Sequence, residues 1–158
     1  VPQNIYLSDD TIAANIAFGV DLKDINHEAV EKASKIAVMI KPRLEKLYGL
    51  KESFNYLLNQ PVFDQKAISK VSNEETKKSL EIVLRFFENN EAVAPVKIKE
   101  ELFVKLSENN IKPGKTMPAI RVALVGRLEG PDLFELIAFF GNKDVVSRLS
   151  ALTKHLNE

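Results

Sequence analysis

The sequence predicts an all-α fold, a multi-helix bundle with a short irregular lead-in at its amino end. Apolar residues recur at spacings of three and four along most of the chain, and Asn, Ser, Pro and Gly punctuate the ends of those stretches. The connectors between them are short. With 158 residues, 45% hydrophobic and 28% charged, the chain can bury a core for one domain or a compact pair without a disulfide or metal staple.

Residues 1–22 mix β-branched, aromatic and turn residues. They read as an extended lead-in followed by a short helix from Thr11 to Phe18, closed by Gly19. Asn26 is the N-cap of the next helix, whose apolar face is Val30, Ala33, Ala37 and Ile40. Pro42 ends or kinks that helix because it lacks a donor and crowds the preceding turn. Leu44, Leu47 and Tyr48 carry the apolar face beyond it.

Leu57, Leu58, Val62 and Ile68 give short helical pieces punctuated by Pro61. The run Ser72-Asn-Glu-Glu75 is a capping box, with Ser72 as N-cap and Glu75 reaching back to its amide. It opens a helix through Leu80, Val83, Leu84 and Phe87 that closes at Asn89-Asn90. Val96, Lys99, Leu102, Phe103 and Leu106 form another, ending at Asn109-Asn110, with a turn at Pro113-Gly114. Pro118 fits the first turn of a helix reaching Gly126. A last pair, Asp132 to Phe140 and Lys143 to Leu156, is divided by Gly141. Val122-Ala-Leu-Val125 competes with this all-α reading, since periodicity alone does not separate a short apolar run in a helix from a buried strand.

The formal charge is zero, 22 basic against 22 acidic side chains. Residues 1–37 carry three lysines and six carboxylates, a net of −3, so the remainder carries +3. Any nucleic-acid contact must therefore come from a local patch. The chain has no cysteine and two histidines, His27 and His155, at no metal-binding spacing. Neither glycine-rich phosphate loop is present, and adjacent glutamates such as Glu100 and Glu101 point about 100° apart on a helix. No apolar run approaches the roughly 18 residues of a membrane span, and no signal peptide is visible, which points to the cytosol. The chain starts at Val1 rather than methionine, as an excised piece of a longer protein would.

The stretch from Lys112 to Leu149, with Met117-Pro118, Arg121, Ala123-Leu124, Gly126, Gly130-Pro131, Leu133, Gly141 and Arg148-Leu149 in that order, resembles the carboxy-terminal end of bacterial-type glutamyl-tRNA synthetase. Ile40-Lys-Pro-Arg-Leu-Glu-Lys-Leu47 is similar to that family's segment before its first anticodon contact, so the likeness covers residues 38–156. It implies a helical cage that grips the anticodon loop of tRNA, with tRNA(Glu) as the partner. Arg43 would read an anticodon cytosine, and Arg121, Gly130, Pro131 and Leu133 would line the pocket for splayed bases. A planar guanidinium can donate to a pyrimidine edge while its face stacks, and backbone donors at the helix entered by Pro131 can meet a phosphate. By residue type alone, Arg43 is a surface arginine, Arg121 an ion-pair partner and Pro131 an N1 proline; the resemblance raises them to site residues. It implies no cofactor for this chain, since the ATP and magnesium of the synthetase family belong to its catalytic domain, whose HIGH-like and KMSKS-like motifs are absent. Aminoacylation by this chain alone is therefore not expected.

Residues 1–37, beginning Val1-Pro-Gln-Asn-Ile-Tyr-Leu-Ser-Asp-Asp-Thr, look like the Q-loop region of an ABC-transporter ATPase, with Gln3 at the family's glutamine. Without a Walker A loop, signature motif or Walker B strand, Gln3 is assigned no function. The junction at Ala37-Val38 falls inside one predicted helix and divides the chain into a fragment, 1–37, and a helical anticodon-binding-like domain, 38–158. Two other classes stand beside the tRNA-binding one: a helical interaction module whose binding face is compromised by the amino-terminal piece, and an ATPase fragment.

Overall fold

The computed structural model describes residues 24–40, 55–90 and 95–157, and all regular structure among them is helical. The chain divides into two compact units, Val1–Glu45 and Lys46–Glu158. In the first, α1 (His27–Ile40) starts at the expected cap: Asn26 Oδ1 accepts from the Ala29 amide at 3.0 Å. The helix runs unbroken through Ala37-Val38 and is described as far as Ile40. On its surface Lys35 and Glu31 pair at 2.7 Å one turn apart, and the lysine's hydrogen bond and charge hold the Glu31 carboxyl below its usual range. The lead-in, the helix expected over 11–18 and the continuation through Leu44, Leu47 and Tyr48 lie outside the described residues.

The second unit contains a 3-10 turn (Asn55–Leu57) and five helices: α2 (Gln65–Val71), α3 (Glu74–Asn89), α4 (Pro95–Glu108), α5 (Pro113–Val125) and α6 (Leu133–Asn157). Helix α5 lies at the centre, in contact with α2, α3, α4 and α6. Ala119, Ile120, Val122, Ala123 and Leu124 are wholly inaccessible. That position resolves the apolar run Val122–Val125: a helical turn enclosed on every side needs no polar stripe, so its sequence reads like a buried strand.

Several boundaries move. Asn73, not Ser72, caps α3, its Oδ1 accepting from the Thr76 amide at 2.9 Å. Ser72 instead closes α2 through its own amide, which donates to the Ile68 carbonyl, and Glu75 pairs with Lys115 on α5 at 2.7 Å. Two adjacent capping residues served two successive helices. The turn expected at Pro113-Gly114 is the first turn of α5, with Pro113 at a position whose missing N–H costs nothing; Pro118 therefore sits inside the helix. On α4 the buried stripe is Ile98, Leu102 and Leu106, while Val96 is exposed, as are Leu58 and Val62 upstream. Asn110, at φ 57°, ends α4 with the Ile111 amide donating to the Leu106 carbonyl.

Two glycines shape the unit. Gly141, at φ 70° and ψ 166°, breaks α6 where the sequence places the division, and the next residue, Asn142, donates from Nδ2 to the carbonyls of Phe87 (3.0 Å) and Asn90 at the end of α3. Gly126, at φ 80°, caps α5 with its amide on the Val122 carbonyl, and its own carbonyl accepts from the Asp64 amide at 2.8 Å. A Cβ there would lie 2.1 Å from the Val62 carbonyl oxygen. Gly126→Ala is expected to cost about 2–4 kcal/mol, combining left-handed strain with a backbone clash. Gly114→Ala, in a helix with nothing within 4 Å of the added carbon, is expected to stabilise by about 0.5–1 kcal/mol. Urea unfolding of the two variants checks both signs.

Candidate functional site

The residues singled out by the sequence gather, where described, around the connection between α5 and α6. Arg121 lies on α5, a little over one turn before its end, and is half-buried. From there its Nη1 reaches across to donate to the Pro131 carbonyl at 2.5 Å. A Cβ on Gly130 would sit 3.4 Å from the same nitrogen and 3.6 Å from Val125 Cγ2. Arg121, Gly130 and Pro131 thus form one structure, a loop stapled by a guanidinium to the helix it leaves. Arg43 lies outside the described residues, as does Gln3.

Two members of the expected pocket are inside the protein rather than on its surface. Pro131 is buried, and Leu133 is 4% exposed as the first residue of the apolar stripe Leu133, Leu136, Ile137 on α6. Spacing of three and four turns that stripe to the core, so the loop rests on these side chains. Nor does the start of α6 offer all its amides to a phosphate. Asp132 Oδ1 accepts from the Phe134 and Glu135 amides at 2.9 and 3.1 Å, the ordinary work of a capping carboxylate.

The loop is braced from behind by Arg148, which is 3% exposed. Its Nη1 donates to the Leu124 carbonyl at 2.9 Å and its Nη2 to the Asn59 carbonyl at 2.8 Å, with the guanidinium carbon 3.9 Å from the centre of the Phe140 ring. Burial lowers its pKa, and the charge of Asp144 opposes that shift. Gln60 Nε2 adds a bond to Ser147 Oγ at 3.1 Å, and the Phe63 and His155 rings approach to 5.3 Å. Residues 59–63 are thereby laid along α6, where they face the Gly126 end of the loop.

Sequence reasoning passed over Arg127, Lys66 and Lys70. Arg127 follows the cap glycine of α5, and grooves of about 390 Å³ and 270 Å³ both have it in their lining. Lys66 and Lys70 belong to the smaller one. The spacing of the two lysines is legible in the sequence, but nothing there joins them to Arg127; the contact between residues 64 and 126 does so. Among the described residues no group of three or more His, Asp or Glu could hold a metal ion, and no helix is long and apolar enough to cross a membrane.

A family model described as anticodon binding domain matches residues 12–153. That span crosses Ala37-Val38, so the likeness reaches farther toward the amino end than residue 38. The chain is 30% identical over 141 residues to glutamate–tRNA ligase 2 of Campylobacter concisus, covering 88% of this chain and 29% of that protein. It is 31% identical over 121 residues to the glutamate–tRNA ligase of Flavobacterium johnsoniae, covering 76% and 24% respectively. The crystal structure of a glutamate tRNA ligase from Elizabethkingia meningosepticum, in complex with its amino acid, superposes with a TM-score of 0.71 at 27% identity, over 87% of this chain and 26% of that one. The chain therefore spans less than a third of the length of these relatives.

The analysis of Arg148 leads to one expectation. Arg148→Met fills similar space but leaves the buried Leu124 carbonyl and the part-buried Asn59 carbonyl without a donor, at up to about 1–3 kcal/mol each when not relieved by water. Thermal or urea unfolding should report a loss of about 2–4 kcal/mol.

Proposed function

This chain belongs to the anticodon binding domain family, and from that premise we propose that it binds the anticodon loop of tRNA, with tRNA(Glu) as the partner. What supports the reading is the convergence of Arg121, Gly130 and Pro131 on one stapled loop between α5 and α6. Arg43 is the base reader in this proposal: its guanidinium donates to a cytosine edge presented by an unstacked loop base. Arg121 and Gly130 shape the rim, and Pro131 and Leu133 support it from the core. A loop held by internal bonds before ligand arrives loses little entropy on binding.

The aminoacylation performed by a complete glutamate–tRNA ligase would need the parts of such a protein that this chain does not span. In this proposal the present chain supplies recognition. The neutral overall charge means that binding depends on local contacts with few phosphates.

Titration of the chain with tRNA(Glu), and with a transcript altered at one anticodon base, tests the reading. Affinity should fall with salt by about 0.7 log units per log unit for each phosphate neutralised on single-stranded RNA. Arg43→Ala should weaken cognate binding by about 1–3 kcal/mol and reduce discrimination at one anticodon position. Equal affinity of both proteins for matched and altered anticodons would remove Arg43 from this role, and no binding at low salt would refute the proposal.

A further inference from the structure

The α5–α6 loop has a second end, at Arg127. The guanidinium carbon of Arg127 lies 5.6 Å from the centre of the Tyr56 ring, and Tyr56 is itself only 5% exposed. A cation over an aromatic face is attracted to it, so the planar guanidinium of Arg127 is favoured beside the Tyr56 ring. The larger groove beside it is walled by Asn55, Gln60 and Phe63, two amides and a ring. Its volume, about 390 Å³, falls in the range of small-ligand sites, roughly 300–1,000 Å³. The smaller groove continues from the other side of Arg127 to Lys66 and Lys70. Those two lysines stand four residues apart on α2, hence on one face, and both are exposed.

Carboxylates also line this surface. Asp64 borders both grooves and Glu129 the smaller one. Asp64 Oδ1 already accepts from the Lys66 amide at 2.9 Å, and three cations against two carboxylates leave the lining net positive. Such a surface suits a single phosphodiester with its base rather than a dense polyanion. The grooves meet the rim of the candidate site through one short stretch of chain, residues 126–131, so a strand on the rim can continue onto them.

Resting on the RNA-binding reading above, we infer that Arg127, Lys66 and Lys70 form a second contact for the same RNA strand, one that does not read sequence. The two ammonium groups receive a backbone phosphate, and an unstacked base of any identity lies against the guanidinium of Arg127 in the larger groove, where Asn55 and Gln60 offer donors and acceptors. Phosphate contacts and stacking are tolerant of base identity. This separates the contact from that of Arg43, which discriminates.

The test is an anisotropy titration of the intact chain with a labelled anticodon stem-loop RNA and with the same stem-loop altered at one anticodon base, over a range of salt. Lys66→Gln combined with Lys70→Gln, which keeps the side-chain stems, should weaken binding of both RNAs roughly tenfold at about 0.1 M salt and make the salt slope shallower by about 0.7, the share of the one phosphate the two lysines receive. The ratio between the two RNAs should stay as in the parent chain. Arg127→Lys keeps the charge but removes the flat surface; it should weaken both RNAs roughly fivefold or more with the salt slope unchanged. If the parent chain binds and its binding depends on Arg43, while the lysine variant matches it in affinity and slope, this inference alone is overturned. If the parent chain binds neither RNA at low salt, the RNA-binding reading fails and the inference falls with it.

Discussion

The guanidinium of Arg148 is the fixed point from which the carboxy-terminal unit is organised. Taking a permanent cation out of water is costly, and the lowered pKa records that cost. The structure offsets it with two backbone carbonyls that no helical partner satisfies, one at the last turn of α5 and one just beyond the 3-10 turn, and with the face of Phe140. Because those carbonyls belong to segments far apart in sequence, a single side chain of α6 sets the distance between them. Gly126 then becomes obligatory: once residues 59–64 are drawn against the end of α5, the Val62 carbonyl occupies the space a side chain would need.

This arrangement determines what the surface can do. The loop from Gly126 to Asp132 leaves α5 in a left-handed turn, is held by Arg121 at its far end, and rests on Pro131 and Leu133. Its outer side brings together an arginine backed by a tyrosine ring and two lysines of α2, although the chain as a whole is neutral. A neutral protein can bind a charged polymer when a few cations are placed on rigid elements along one path. The loop lies within the residues matched by the anticodon binding domain family, and Arg121, Gly130 and Pro131 hold it in shape.

Much of this was legible from the sequence because single residues carry unambiguous local physics. Asn26 and Gly141 each act within a few residues of themselves, and both sit at the helix ends they announce. Arg121, Gly130 and Pro131, which the resemblance of residues 112–149 singled out, also lie together in the structure. Legibility ended where two local readings compete or where tertiary contacts decide. Ser72 and Asn73 are equally good caps, and only the close spacing of α2 and α3 assigns one to each. Val96 and Ile98 are equally apolar, and the neighbours of α4 choose the latter. Leu133 was read as a binding surface because its motif is functional in character, yet its helical phase turns it inward. Arg127, Lys66 and Lys70 had no sequence signal joining them, since their proximity is created by the contact between residues 64 and 126.

The central claim is that the α5–α6 loop and the segment packed against it form one continuous RNA-facing surface. Hydrogen–deuterium exchange of the chain with and without an anticodon stem-loop reads that surface directly. The account predicts slowed exchange in residues 126–133 together with residues 59–70, and no change at the Asn109-Asn110 end of α4. Slowing confined to α3 and α4, with residues 126–133 unaffected, would contradict it.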